Sequence, residues 1–248
     1  MKILLPPSET KREGGTGGAL DLAALALPGL HAERRAVVDA LVELAADEQE
    51  SRRVLKLSER QAGDVVHNRM LRTAPTMAAV DRYTGVLFDA LDAASLSTAS
   101  RRWLGAHVWI HSAPLGPIGA LDLIPSYRLA AGTSLPGVAA LRRHWAAATT
   151  SAIAEEDPSF VLDLRSEAYA ALGPVPEHVP SAYVRVVTDE GRALNHFNKK
   201  SKGLLVRRLA EQRPRLSSLR GLRRWAEREN IVLRDAAEPG VLELVAAE

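Results

Sequence analysis

The chain begins Met1-Lys-Ile-Leu-Leu-Pro-Pro-Ser-Glu-Thr-Lys11, and these eleven residues set the reading of the fold. Ile3, Leu4 and Leu5 form a short apolar run of the kind that makes a buried strand, and Pro6-Pro7 stop it, because proline has no N–H to give to a sheet ladder. A strand over Lys2–Leu5 that runs into a polar loop is a common place for chemistry. The loop carries two hydroxyls, the Glu9 carboxylate and the Lys11 ammonium. Glu9 can serve there as a general base or as an ion-pair partner, and the same residues can also form a plain capped turn.

Further strands are expected at His107–His111 (HVWIH), which is aromatic and β-branched, and at Phe160–Leu164 (FVLDL), which leads into Arg165-Ser-Glu-Ala-Tyr169. Tyr183–Val187 (YVRVV), a turn at Asp189-Glu-Gly191 and Ala193–Phe197 read as a β-hairpin. Ile231–Leu233 and Val241–Val245, around Pro239-Gly240, read as a closing one. Helical spacing covers His31–Met70, with Val37, Val38, Leu41, Leu44 and Ala45 on one face and a second helix capped by Ser58 that packs back as a hairpin. Helices are also expected over Ala78–Leu91 and Leu141–Ile153. Ala113–Ser126 holds too much proline and glycine for regular structure, and Glu13–Gly18 (EGGTGG) reads as a flexible loop. The elements define an α/β (mixed α+β) fold in one body, with strands too scattered for a regular βαβ series.

With 248 residues, 46% hydrophobic and 25% charged, the composition is that of an ordinary globular protein. It contains no cysteine, which excludes disulfides, thiolate nucleophiles and iron–sulfur or zinc–thiolate sites. The apolar run before Pro6 is far too short for a signal peptide or a membrane span, so the expected location is the cytoplasm, with no membrane partner.

The net charge of +2 hides an asymmetry: between Arg192 and Arg228 stand twelve Lys or Arg against Glu211 and Glu227. Clustered charge of one sign suits a polyanion, although a solvated helix surface looks similar. The centre of this segment is Asn195-His-Phe-Asn-Lys-Lys-Ser-Lys-Gly-Leu-Leu-Val-Arg-Arg-Leu209. On a helix, Lys199, Gly203 and Arg207 share one face, and a glycine there would let a sugar or phosphate come close. His196 offers an acid/base group tuned by neighbouring lysines. Ser126-Tyr-Arg128 and Arg165-Ser-Glu-Ala-Tyr169 combine tyrosine, arginine and a hydroxyl, a set that holds phosphates or bases; a buried tyrosine with a bonded hydroxyl is the ordinary alternative. His107 and His111 do not fit the helical zinc pattern, and EGGTGG lacks the Gly-Lys-Ser/Thr ending of a P-loop, so neither a metal nor a cofactor is expected.

Taken in order, the motifs Pro7-Ser-Glu-Thr10, Tyr83-Thr-Gly85, Ser112–Gly132, Leu164-Arg-Ser-Glu-Ala-Tyr169 and Lys199-Lys-Ser-Lys-Gly-Leu-Leu-Val-Arg207 resemble the bacterial peroxide-stress protein YaaA family. Glu9 stands where many relatives carry lysine, Ala130 replaces a glutamate, and the loop Ala113–Ala120 lacks the usual tyrosine and arginine. The resemblance implies a compact domain over 1–248 with a central mixed sheet, surrounding helices and a positively charged cleft. It also implies a helix-hairpin-helix-like element around 54–69 that turns at Gln61-Ala-Gly63. The implied function is DNA binding that limits peroxide- and iron-driven damage, through Lys11, Arg128, Arg165, His196, Asn198, Lys199, Lys200, Lys202 and Arg207. The alternative is an enzyme acting on DNA bases or a nucleotide-like small molecule, a base-excision glycosylase or lyase, with Glu9, Tyr127, Ser166, Lys199 and Lys200 as candidate catalytic groups.

Overall fold

In the computed structural model, which describes residues 1–190 and 197–246, Lys2–Leu5 becomes β1 at the middle of a seven-stranded sheet. Leu4 pairs in parallel with Trp109 of β3 (Val108–Ser112) on one side and with Asp163 of β6 (Val161–Asp163) on the other. β7 (Ser181–Val187) and β9 (Val241–Val245) continue the parallel run, and antiparallel edges close it at β4 (Gly116–Gly119) and β8 (Leu233–Asp235). Ile3, Leu4 and Leu5 are fully buried, as expected of a parallel strand covered on both faces. A separate ribbon pairs β2 (Met77–Ala78) with β5 (Leu123–Ile124).

Ten α-helices surround the sheet among the described residues. They are α1 (His31–Leu44), α2 (Glu48–Leu55), α3 (Val65–Arg69), α4 (Ala79–Arg82), α5 (Val86–Leu91), α6 (Thr98–His107), α7 (Leu141–Glu155), α8 (Glu167–Ala170), α9 (Phe197–Gln212) and α10 (Leu219–Arg228). α1 buries Val37, Val38, Leu41 and Leu44, as its spacing requires. Its buried Arg34 donates to the carbonyls of Ala26, Leu115 and Pro117 at 2.6–2.8 Å.

Four expectations are corrected. Ala113–Ser126 contains β4 and β5 after all: Pro117 is tolerated because β4 is an edge strand, and Gly116 takes φ +62° with Trp145 packed where its Cβ would be. The Ala78–Leu91 helix is broken into α4 and α5 at Tyr83-Thr-Gly85, where Gly85 has φ +93° and the Thr84 N–H donates to Thr10 O at 3.1 Å. Ser58 caps a 3-10 helix over Glu59–Asp64, its N–H donating to Gln61 Oε1 at 3.2 Å. Gln61-Ala-Gly63 lies inside that 3-10 helix, which joins α2 to α3, in place of the expected tight turn. The second strand of the hairpin expected after β7 falls almost wholly outside the described residues, and the observed neighbours of β7 are β6 and β9.

The glycine at the heart of the basic segment faces inward. A Cβ on Gly203 would lie 2.2 Å from Leu87 O and 2.9 Å from Ala90 Cβ, so α9 crosses α5 backbone to backbone at this point. Lys199, Gly203 and Arg207 do share a face, and at Gly203 that face meets α5. Gly203→Ala should therefore lower stability by about 1–3 kcal/mol through overpacking, read as a drop in urea midpoint. Gly63→Ala, with open space at its Cβ, should leave the midpoint nearly unchanged. Unaltered stability of Gly203→Ala would return this glycine to a ligand role.

Candidate functional site

Pro6-Pro7 end β1, and Asp163 ends β6, so the polar loops Ser8–Thr10 and Leu164–Tyr169 emerge together at the carboxyl edge of neighbouring parallel strands. From β1 the sheet grows toward β3 on one side and toward β6 on the other, which makes this edge a topological switch point, where open α/β sheets take ligands. A pocket of about 940 Å³ lies there, with α5 and α9 contributing walls and β7 a further side. Charged residues of its lining are Glu9, Glu167, Arg185, Lys199 and Lys202. Carboxylates thus stand among the cations.

Beneath the loops lies a buried polar layer. The fully buried Arg165 gives Nε and Nη2 to the two oxygens of Asp163 at 2.9 and 2.7 Å, and its backbone N–H also reaches Asp163 Oδ1 at 3.0 Å. Its Nη1 donates to His111 Nδ1 at 2.8 Å. Because guanidinium can only donate, His111 accepts at Nδ1 and carries its proton on Nε2. Burial, then the Arg165 charge, pushes the imidazole well below its ordinary pKa. Arg165 is held by these partners and does not face the pocket.

Tyr127 is likewise buried. Its hydroxyl lies 2.7 Å from that of Tyr83 and accepts from Ser112 Oγ at 3.0 Å. The Lys11 ammonium sits 4.1 Å from the Tyr127 ring centroid and donates to Ser8 O and Glu9 O at 3.0 and 3.1 Å, so it holds the loop from below. Burial, and next the charge of Arg128, lowers Lys11 to about 7.

The other sequence candidates separate clearly. Glu9, Ser166, Asn198, Lys199 and Lys202 line the one pocket, with Tyr127 a layer below; Lys199 and Lys200 are exposed, and Lys200 does not line it. Arg128 reaches Glu9 Oε2 at 3.3 Å and Asp64 at 3.9 Å, and the Asn68 amide brackets its backbone at 2.7 and 2.9 Å. Arg207 turns away from the pocket and donates to Leu91 O, Asp92 O and Ser95 Oγ at 3.0–3.2 Å, closing the C-terminus of α5. His196 lies outside the described residues. His107 stacks on Trp103, its ring centroid 4.2 Å away, whereas His111 points into the core. Two of the EGGTGG glycines serve backbone packing: a Cβ on Gly15 would meet Thr76 O at 2.3 Å and one on Gly17 would meet Thr76 Oγ1 at 2.4 Å, while Arg82 donates to Gly14 O at 2.8 Å.

Asn68, Asp64 and Arg185 were missed in the sequence because none stands in a recognisable motif; for Asn68 alone, an amide inside a short helix could have hinted at a buried bracket. The basic segment, moreover, is not one patch. α9 has 16 residues, about 24 Å of helix, so Lys199 and Lys202 sit at the pocket while Arg213 and Arg215 lie beside Trp103 and His107.

Fold and site together define a single-domain mixed α/β protein with a ligand-sized pocket of mixed polar and apolar lining at the carboxyl edge of its parallel strands. The family model of the peroxide stress protein YaaA matches residues 1–231, and the chain belongs to that family. A UPF0246 protein of Streptomyces coelicolor is 45% identical over 214 residues, covering 84% of this chain and 82% of its own. One from Corynebacterium efficiens is 43% identical over 215 residues, 85% of each chain. A UPF0246 protein of Streptococcus pneumoniae shares 30% over 166 residues, 65% of each.

Two outcomes follow from the polar layer. Asp163→Ala leaves the Arg165 guanidinium buried without its carboxylate and should cost about 3–5 kcal/mol. Arg223→Ala, which breaks the exposed pair with Asp235, should cost less than about 1 kcal/mol; urea midpoints of the two variants test the contrast. Lys11 is lowered to about 7 in the fold, against about 10.4 in an unfolded chain. The unfolded state then binds more protons between these values, so stability rises with pH from about 7 to 10 and the cost of the buried ammonium is full below 7. Lys11→Met should flatten this rise in melting curves taken across pH 6–10.

Proposed function

We propose that this protein acts in the peroxide stress response as a cytosolic DNA-binding protein. Lys199 and Lys200, exposed at the start of α9, contact backbone phosphates, and the pocket behind them takes one unstacked nucleotide. The observation that carries the reading is the pocket itself. At about 940 Å³ it has the size of a small-ligand site and is far too small for a duplex. Its lining mixes lysines with hydroxyls, carboxylates and Tyr169, a set able to hydrogen-bond a base edge and stack on its face. The family's description, peroxide stress protein, supplies the setting. Binding through phosphates carries no base identity, so such a protein covers DNA regardless of sequence and limits the exposure of that DNA to peroxide and iron. Arg165 and Arg207 are engaged elsewhere and have no part in this interaction, and Arg128 contributes at the rim through Glu9.

Fluorescence anisotropy with labelled oligonucleotides tests the reading. Affinity should fall steeply with salt, and the log–log slope should shrink by about 0.9 for each phosphate that a variant no longer neutralises. The Lys199→Ala/Lys200→Ala double variant should bind at least tenfold more weakly at low salt. A mismatched or single-stranded probe should bind more tightly than a perfect duplex, because extruding its base costs less. An affinity indifferent both to salt and to this double variant would sink the proposal.

A further inference from the structure

Lys202 is out of place as a phosphate ligand. A lysine that merely holds an anion does so best when exposed and charged, as Lys199 and Lys200 are. Lys202 lines the same pocket but is only 4% exposed. Among the described residues no carboxylate lies within ion-pair distance of its Nζ; the nearby Asp163 gives both its oxygens to Arg165. Its hydrogen bond among those residues is a long one, 3.5 Å to Arg165 O, and the Tyr183 ring centroid lies 5.7 Å away. Lys11, the other enclosed lysine, differs: two carbonyls hold its ammonium and it does not line the pocket. One helical turn before Lys202, Asn198 lines the pocket with its Oδ1 buried and without a hydrogen-bond partner among the described residues. An acceptor waiting for a donor and an amine without a counter-ion among the described residues therefore stand i, i+4 on one helix, facing one cavity.

We propose that Lys202 is an amine nucleophile that condenses with the aldehyde of a phosphorylated sugar held in the pocket. Its phosphate would rest on the exposed Lys199 at the rim, and a sugar hydroxyl would donate to Asn198 Oδ1. The inference rests on this pocket being the ligand site. The neutral Nζ adds to the carbonyl carbon while a proton passes from nitrogen to oxygen, giving a carbinolamine. The new hydroxyl takes a second proton from solvent, relayed by the pocket carboxylates Glu9 or Glu167, and leaves as water; the product is the protonated imine. Burial lowers Lys202 to about 8, with Asp163 opposing the shift, so a large share of it is the reactive free amine at mildly alkaline pH. Two sources offer this chemistry: the ring-opened deoxyribose at an abasic site in DNA, and a free sugar phosphate.

The test is trapping with sodium cyanoborohydride, which reduces the protonated imine to a stable amine, followed by peptide mass mapping. One arm uses a duplex with a single abasic site and the other uses ribose 5-phosphate. The expected result is an adduct on Lys202 in at least one arm, lowered at least tenfold in Lys202→Arg, which keeps the charge but not the nucleophile. An adduct only with abasic DNA names DNA as the source, and one only with ribose 5-phosphate names the free sugar. No adduct in either arm, or labelling confined to Lys199 and Lys200, overturns the proposal. Because the site is mapped on the wild-type chain, the result holds even where Lys202→Arg folds poorly. Anisotropy on intact duplex is measured alongside. Intact binding without an adduct overturns this inference alone, and an adduct with ribose 5-phosphate without DNA binding overturns the nucleic-acid reading alone.

Discussion

The pocket depends on one steric fact, the absence of a side chain at Gly203. With a Cβ there only 2.2 Å from Leu87 O, α9 can lie against α5 only because the position is glycine, and helices that meet at a glycine approach more closely than those separated by larger side chains. This crossing fixes the height at which α9 passes the carboxyl edge of the sheet. Lys199 and Lys202 thereby face the loops that follow β1 and β6. Arg207, one turn beyond Gly203, reinforces the same crossing by donating to the last carbonyls of α5. Residues that looked like a phosphate-binding face are largely the means by which two helices are clamped together.

The buried arginines show a second constraint. Arg34 and Arg82 end on backbone carbonyls, and Arg165 ends on a carboxylate, an imidazole and a carbonyl. Each ties together segments distant in the chain, because a guanidinium offers donors in several directions and a buried donor left unpaired is costly. The effect on the pocket is direct. Arg165 donates to both oxygens of Asp163, whose charge still acts on Lys202 without forming an ion pair with it; Arg82 anchors the glycine-rich loop, and Lys11 anchors Ser8 and Glu9. The polar floor is cross-linked by hydrogen bonds, while the exposed lysines at the rim are not held by ion pairs among the described residues.

Much of the fold was legible in the chain. β1, β3, β6, β7 and β9 were readable as apolar or β-branched runs bounded by prolines and turn residues, and α1 and α7 as periodic apolar faces; the partner of β9 was read at Ile231–Leu233, two residues before the observed β8. Illegible parts were those where a local signal is overridden by a neighbour. β4 is rich in glycine and proline, yet it forms because β3 offers it an edge. The Ala78–Leu91 helix breaks because Thr84 bonds to Thr10, seventy-four residues away. Among the site candidates, Glu9, Ser166, Asn198, Lys199 and Lys202 converge, whereas Arg165 and Arg207 have the right charge and the wrong surroundings.

Composition and periodicity by themselves determined the fold class, the strand that runs into Ser8–Lys11, and the concentration of cations near the C-terminal end, because strand and helix formation respond to neighbours within a few residues. Which cations face a ligand was decided only by the tertiary structure. The sequence records a charge but not the carboxylate, carbonyl or helix that a distant segment brings against it, and those partners determine whether an arginine is a structural tie and whether a lysine stays charged.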